Sequence, residues 1–278
     1  KIYEAYFRPD GNAVLLRSLE DDSDVVKNLS LALTAPKSTS TDGLYTVSST
    51  PLRGNIGTAA VGSGNTLFYS LRDISSVVSS TFNGTAAKTL LTSPFNNWRL
   101  AMTGENLVLY TKASANVPGD AYSLNTSSGA LAKILGPFNG LVANPDVSGN
   151  QVLYSYVYNN KTRLSTKNLQ SKALSEISPA TLAEKCVWSA RKTNTFFCGA
   201  PVDNPGVGEP DNWYRGVTHF SDRIWFFDTG IDIAQVLVEP KESLGIDIDV
   251  VEPKLSPNED YLIFINKTDL SLWAFKLE

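Results

Sequence analysis

The chain has 278 residues, 42% of them hydrophobic and 19% charged, with a mean hydropathy of -0.11. This is globular composition, which excludes a disordered chain, and no apolar run approaches the ~18 residues of a membrane span. A formal net charge of -4 and a pI near 5.2 argue against a nucleic-acid partner, which requires a basic face to neutralise phosphates.

One pattern recurs along the chain: an apolar strand, a polar turn carrying Gly or Asn, then a strand ending in an aromatic or large apolar residue. Tyr6-Phe7-Arg8-Pro9-Asp10-Gly11-Asn12 leads into Ala13-Val14-Leu15-Leu16, and Val61-Gly62-Ser63-Gly64-Asn65 into Thr66-Leu67-Phe68-Tyr69. The pattern returns at Thr103 to Tyr110, Val147 to Tyr154, Trp188 to Phe197 and Leu255 to Phe264. With Leu16, Tyr69, Tyr110, Tyr154, Phe197 and Phe264 as equivalents, the spacings are 53, 41, 44, 43 and 67. A period of ~40–45 residues with about four short strands per unit predicts a β-propeller.

The expected fold is therefore all-β: a single six-bladed domain over 1–278, with four-stranded antiparallel blades near 1–50, 51–93, 94–136, 137–180, 181–240 and 241–278. The third strand of a blade is visible as Asp120 to Leu124, Arg223 to Phe227 and Ser271 to Phe275. The outermost is visible as Lys88 to Leu91, Leu131 to Leu135 and Gln235 to Val238. The sixth blade reaches only its third strand, so it is expected to be incomplete or to be completed by residues upstream of Lys1. No stretch carries a sustained 3.6-residue apolar period, and Pro179 to Lys185 is the nearest helical candidate.

Cys186 and Cys198 lie symmetrically about Lys192, flanking a polar turn, and would face each other across a hairpin. Cross-strand Cβ atoms stand ~4.5–5.5 Å apart, near disulfide range, so a disulfide is expected, with two buried free thiols as the alternative. A disulfide implies an oxidising compartment. The strand pattern starts at once from Lys1, and a targeting or anchoring segment is expected upstream. Sequons at Asn28, Asn83, Asn125, Asn160 and Asn266 are compatible with a secreted surface.

Phe7-Arg8-Pro9-Asp10-Gly11 and Leu255-Ser256-Pro257-Asn258, each followed by an apolar strand, resemble the Ser-Pro-Asp-Gly turn of TolB-like, WD40-like propeller repeats. The stretch from Lys185-Cys186-Val187-Trp188 through Asp211-Asn212-Trp213-Tyr214-Arg215-Gly216 to Asp222-Arg223-Ile224-Trp225 is similar to extracellular, often membrane-anchored propeller proteins of candidate-phylum bacteria. The wider family includes periplasmic proteins that bind proteins or peptides, and non-catalytic propellers attached to peptidases. The resemblance implies a binding scaffold and supplies no catalytic residue.

The longest insertion, Val202 to Phe220, falls between the second and third strands of blade five and contains Asp203, Glu209, Asp211, Trp213, Tyr214 and Arg215. Loops of that length in a compact repeat are uncommon and often functional. Two readings stand open: a patch that grips a ligand, or a lid packing Trp213 and Tyr214 over a neighbouring blade. By strand phase, Arg72, Lys112, Lys267 and Trp98 belong to the same loop-rich face. The repeated Pro94-Phe95-Asn96 and Pro137-Phe138-Asn139 read as structural, as do Trp225 and Trp273 in equivalent strands.

Asp247 and Asp249 alternate onto one face of a strand and are candidates for a structural calcium or for paired acids of a hydrolase. The run Glu20-Asp21-Asp22-Ser23-Asp24 suits a solvated turn or a calcium loop. His219 is the one histidine, and no serine nucleophile motif accompanies it. No other cofactor is implied. The sequence supports a non-enzymatic binding scaffold, extracellular or periplasmic, that engages a protein, peptide or glycan. The alternatives are a carbohydrate- or peptide-acting hydrolase and a surface-assembly module.

Overall fold

The computed structural model describes residues 2–20, 25–36 and 44–277. The acidic positions 21–24 lie outside the described residues. The architecture is a six-bladed β-propeller with almost no helix. The chain divides into two compact units, residues 1–102 with 125–130, and residues 103–124 with 131–278.

In the first unit, β1 (Ile2–Phe7), β2 (Ala13–Leu19), β3 (Val26–Thr34) and β4 (Thr46–Pro51) form one antiparallel blade in sequence order. The next is built from β5 (Ile56–Val61), β6 (Thr66–Leu71), β7 (Ser76–Thr81) and β8 (Lys88–Thr92). Leu15 of β2 packs with Ile56, Leu67, Leu71, Val78 and Phe82 in a core shared by these two blades. The Arg8-Pro9-Asp10-Gly11 turn closes as its sequence predicts. Asp10 accepts from Arg8 Nε at 2.7 Å and from the Asn12 amide at 2.9 Å, and Gly11 takes the positive φ of 73° that a side chain would resist. Asn28 is buried and accepts from Arg17 Nε at 3.1 Å, so this sequon serves packing.

The third blade has the order β9 (Trp98–Thr103), β10 (Asn106–Thr111), β11 (Pro118–Asn125), β12 (Leu131–Asn139). In the second unit, β13 (Val142–Pro145), β14 (Gln151–Tyr158), β15 (Lys161–Asn168) and β16 (Leu174–Ile177) make blade four. Blade five comprises β17 (Cys186–Trp188), β18 (Thr195–Pro201), β19 (Asp222–Asp228) and β20 (Ile233–Val238). Blade six has three strands, β21 (Val250–Leu255), β22 (Tyr261–Asn266) and β23 (Leu272–Lys276). The second strand β18 is buried on both faces and β14 over its first half, whereas β22 alternates between buried and more exposed residues. Leu153, Leu164, Ala183, Trp188, Phe196 and Phe227 pack together between blades four and five, and Phe197, Ile224, Val250, Leu262 and Phe264 between five and six.

The Cys186–Cys198 disulfide is formed, and the register pairs these two residues directly across β17 and β18, as the symmetry about Lys192 requires. Trp225 and Trp273 pack against the clusters flanking their blades, the role expected of them. Phe95 meets Trp98 edge-on at 5.5 Å, whereas Phe138 contacts Tyr154 and Tyr156, so the two Pro-Phe-Asn copies serve packing. The helical candidate contracts to a 3-10 turn at Ala183–Lys185. Two short helices, α1 (Asp211–Tyr214) and α2 (Pro240–Leu244), lie in the loops after β18 and β20. Pro240 at the first helical turn and left-handed Gly245 at the end delimit α2.

Candidate functional site

The loops that follow β16, β18, β20 and β22 gather over one end of blades four to six, and the insertion after β18 is pinned there by polar contacts. Asn204 exchanges two hydrogen bonds with the Thr162 backbone, donating Nδ2 to its carbonyl at 2.9 Å and accepting its amide at 3.2 Å. Asp211 accepts the Ala115 amide at 2.6 Å, and the Tyr214 hydroxyl donates to Glu184 at 2.5 Å. Buried Glu209 accepts the Trp213 amide at 2.8 Å, holding the first turn of α1. Lys267 donates to the Trp213 carbonyl at 2.7 Å and lies 5.0 Å from the centre of its ring.

Beneath the insertion lies a charge cluster. Lys185, Asp222 and Asp249 have fully buried side chains. Lys185 Nζ is 2.8 Å from Asp222 Oδ2 and is paired with Asp249 Oδ1. Asp249 also accepts Trp213 Nε1 at 2.9 Å and the Phe220 amide at 3.2 Å. The rings of Trp213 and Phe220 stack at 6.3 Å, each about 5 Å from the Lys185 ammonium. Asp222 Oδ2 further accepts the Val250 amide at 2.8 Å, while its Oδ1 has no hydrogen-bond partner among the described residues. Burial pushes the Asp222 carboxyl up to about 6 against the lowering effect of Lys185, with the Asp249 charge adding to the rise. Gly199 makes this approach possible: a Cβ there would stand 2.5 Å from the Val250 side chain and 2.9 Å from Asp222 Oδ2.

The proposed ligand-gripping aromatics are placed otherwise than that reading requires. Trp213 is 4% exposed and its indole N–H is committed to Asp249, and the Tyr214 hydroxyl is committed to Glu184. Both act as anchors beneath the insertion, because an indole and a phenol can bury apolar area and still satisfy one polar atom. Arg215 stays exposed and its guanidinium bonds within its own turn, to Asn212 Oδ1 at 2.6 Å and the Asp211 carbonyl at 3.3 Å. Lys112 and Arg72 are exposed, the latter in the first unit, and Trp98 is buried there with its carbonyl accepting Thr58 Oγ1 at 2.7 Å.

The Asp247–Asp249 pairing is corrected. Asp249 is sealed against Lys185, whereas Asp247 is half-exposed, paired with Lys241, and accepts Ser221 Oγ at 2.7 Å. The Lys241 hydrogen bond, seconded by Ser221, holds the Asp247 carboxyl below the usual range. Two acids that each answer a different lysine leave neither a cation site nor a facing acid pair, and no group of metal-ligating residues occurs among the described residues. His219 Nδ1 stands 4.0 Å from Asp249 Oδ2, with no serine hydroxyl hydrogen-bonded to it among the described residues. Asn266, another sequon, is buried and accepts the Asp249 amide at 2.9 Å.

Lys185, Asp222 and Glu184 did not stand out in the sequence. Lys185 directly precedes the apolar Cys186-Val187-Trp188, and a lysine bordering a buried strand was the signal available.

Beside the outer strands of blades five and six runs a groove of about 800 Å³, lined by Phe197, Phe226, Leu237 and Phe275 and rimmed by Arg191 and Glu259. Among the described residues no strand pairs with the outer edge of β23, where Leu272 is 74% exposed. No described helix is long and apolar enough to cross a membrane.

No family model and no curated protein matches the sequence. Solved structures match in fold at low identity. TolB from Acinetobacter baumannii matches with a TM-score of 0.54 and 10% identity over 82% of this chain and 52% of that one, so the chain spans about half the length of TolB. The β-propeller domain of the Trilobed protease from Pyrococcus furiosus gives 0.60 and 10% over 100% of this chain and 83% of that one. A chain of the nidogen/laminin complex gives 0.55 and 8% over 95% and 89%. The fold is thus the β-propeller shared by TolB and a protease propeller domain.

Proposed function

We propose that the chain is a non-enzymatic scaffold that binds a protein partner through the outer surface of the 202–220 insertion, in a periplasmic or extracellular setting. The carrying observation is a loop fixed from below and apolar above. Its underside is held by Asp249, Glu184, Ala115, Thr162 and Lys267, while Val202, Val207 and Val217 are 62%, 71% and 69% exposed beside exposed Arg215. A rigid loop loses little conformational entropy on association, so exposed apolar groups on it serve recognition efficiently. The likeness in fold to a chain of the nidogen/laminin complex supports a protein partner. The disulfide supports an oxidising compartment, and membrane anchoring belongs to the same reading.

The test is retention of a native partner by the immobilised chain, compared with Arg215→Glu combined with Val217→Asp. The expected result is loss of retention with an unchanged Tm. Equal retention by both proteins, or turnover of peptide or glycan substrates by the purified chain, overturns the reading.

A second reading rests on blade six. The bare edge of β23 beside the groove is suited to an extended segment that adds a fourth strand, as in a surface-assembly module. Proline at Ala274 would block such pairing and leave partner retention through the insertion untouched.

A further inference from the structure

We propose that Lys185 and Asp249 are the partners of an internal amide cross-link, formed autocatalytically with Asp222 as the proton carrier. A structural ion pair needs one carboxylate for one ammonium. Here a second, fully buried carboxyl touches the same Nζ, and one of its oxygens has no hydrogen-bond partner among the described residues. Such a group is costly to bury and is unexplained by neutralisation alone. It is what a condensation requires: a nucleophilic amine, an electrophilic carboxyl, and an acid-base group in contact with the amine.

The surroundings favour the reaction. Trp213 and Phe220 cover the cluster, and all three side chains are excluded from solvent. That cover keeps water from reversing the condensation. The Phe220 amide donates to Asp249 Oδ2 at 3.2 Å and the Trp213 indole N–H is shared between Oδ2 at 2.9 Å and Oδ1 at 3.0 Å, so two donors reach the oxygen where negative charge develops when nitrogen adds to the carboxyl carbon.

The step balances without any further reactant. Asp222 takes a proton from the Lys185 ammonium and delivers it to Asp249 Oδ1. The freed nitrogen lone pair forms the C–N bond to Asp249 Cγ, and the displaced π pair rests on Oδ2. Asp222 then transfers a second proton from nitrogen to Oδ1. The Cγ–Oδ1 bond breaks, water departs, and the carbonyl re-forms at Oδ2. Two of the three ammonium protons leave with the water, the third stays on the amide nitrogen, and Asp222 ends as it began. Its carboxyl, pushed up to about 6, exchanges protons in the range such a relay needs.

The test is mass spectrometry of the folded, purified chain after denaturation and disulfide reduction. The expected mass is lower than the sequence mass by one water. A tryptic digest should contain residues 173–191, uncut after Lys185, branched onto residues 242–254 through Asp249. Asp222→Asn, which keeps the side-chain shape, should return the full mass and three linear peptides, 173–185, 186–191 and 242–254, as should Lys185→Arg. A wild-type chain at full sequence mass, with linear peptides only, overturns the proposal, as does a water loss located at any other residue. Because the wild-type measurement decides by itself, the result does not depend on the variants folding.

Discussion

Blades five and six meet in two contrasting ways. At the loop-rich end, three charged side chains are sealed from water beneath Trp213. Along the outer strands, Phe226, Leu237 and Phe275 border an open groove. The usual distribution of polar and apolar groups is inverted, and the cause is connectivity. The loops after β18 and β20 fold back over the sheet ends and dehydrate whatever lies beneath. Blade six, by contrast, has nothing paired to the outer edge of β23 among the described residues. Residue type alone decides neither region.

The largest expected break in this contrast is Lys185→Met. It leaves Asp222 and Asp249 buried with no cation, and loss of one partner from a buried ion cluster costs about 3–5 kcal/mol. Urea denaturation should show this as a lower midpoint.

Next in size is a pH effect of unusual sign. The Asp222 carboxyl sits at about 6 in the folded chain against 3.8 for the free group, so the folded state holds the extra proton between those values. Its stabilising effect is complete below 3.8 and is lost as pH rises to about 6, a change of up to about 3 kcal/mol at 1.36 kcal/mol per pKa unit. The sign survives amide formation, which removes the lysine charge that lowers this carboxyl. Subtracting the pH–stability curve of Asp222→Asn from that of the wild type should isolate this slope, and a difference curve flat from pH 4 to 6 would contradict it.

Gly199→Ala tests the close approach of the two blades. The new methyl meets a β-branched side chain, and overpacking of this kind costs about 1–3 kcal/mol, readable as a fall in Tm. The smallest effect is expected at Asp247→Asn. That carboxylate is half-exposed on a surface pair with Lys241, and its loss should leave Tm within error of the wild type. An Asp247 effect as large as that of Lys185 would erase the distinction between the sealed and the solvated acid.

Much of the fold was legible because strand and turn chemistry are local. The apolar runs ending at Tyr69, Tyr110, Tyr154 and Phe197 each lie in the second strand of a blade, and the Cys186–Cys198 pairing followed from hairpin symmetry. The site was legible only in part. The long insertion could be counted, and a lid was one of its two readings. Its chemistry could not be read, because Lys185, Asp222 and Asp249 are far apart in sequence and converge only when neighbouring blades stack. Charged residues ordinarily signal solvent, and nothing in Lys185 or Asp222 taken singly says otherwise. Asp247 and Asp249 show the same point at close range. Period-two spacing places both on one face of an ideal strand, but β21 begins only at Val250, so the alternation does not extend over them.

The reciprocal bonds between Asn204 and the Thr162 backbone imitate one rung of a β-ladder with a side-chain amide. The path of the insertion is therefore written into a main-chain edge of blade four, which any residue at position 162 other than proline would supply. The exposed Val202, Val207 and Val217 lie off those anchors, while Gly208 and Gly216 hold positive φ, so foreign recognition sequences grafted onto this scaffold would replace the former and keep the latter.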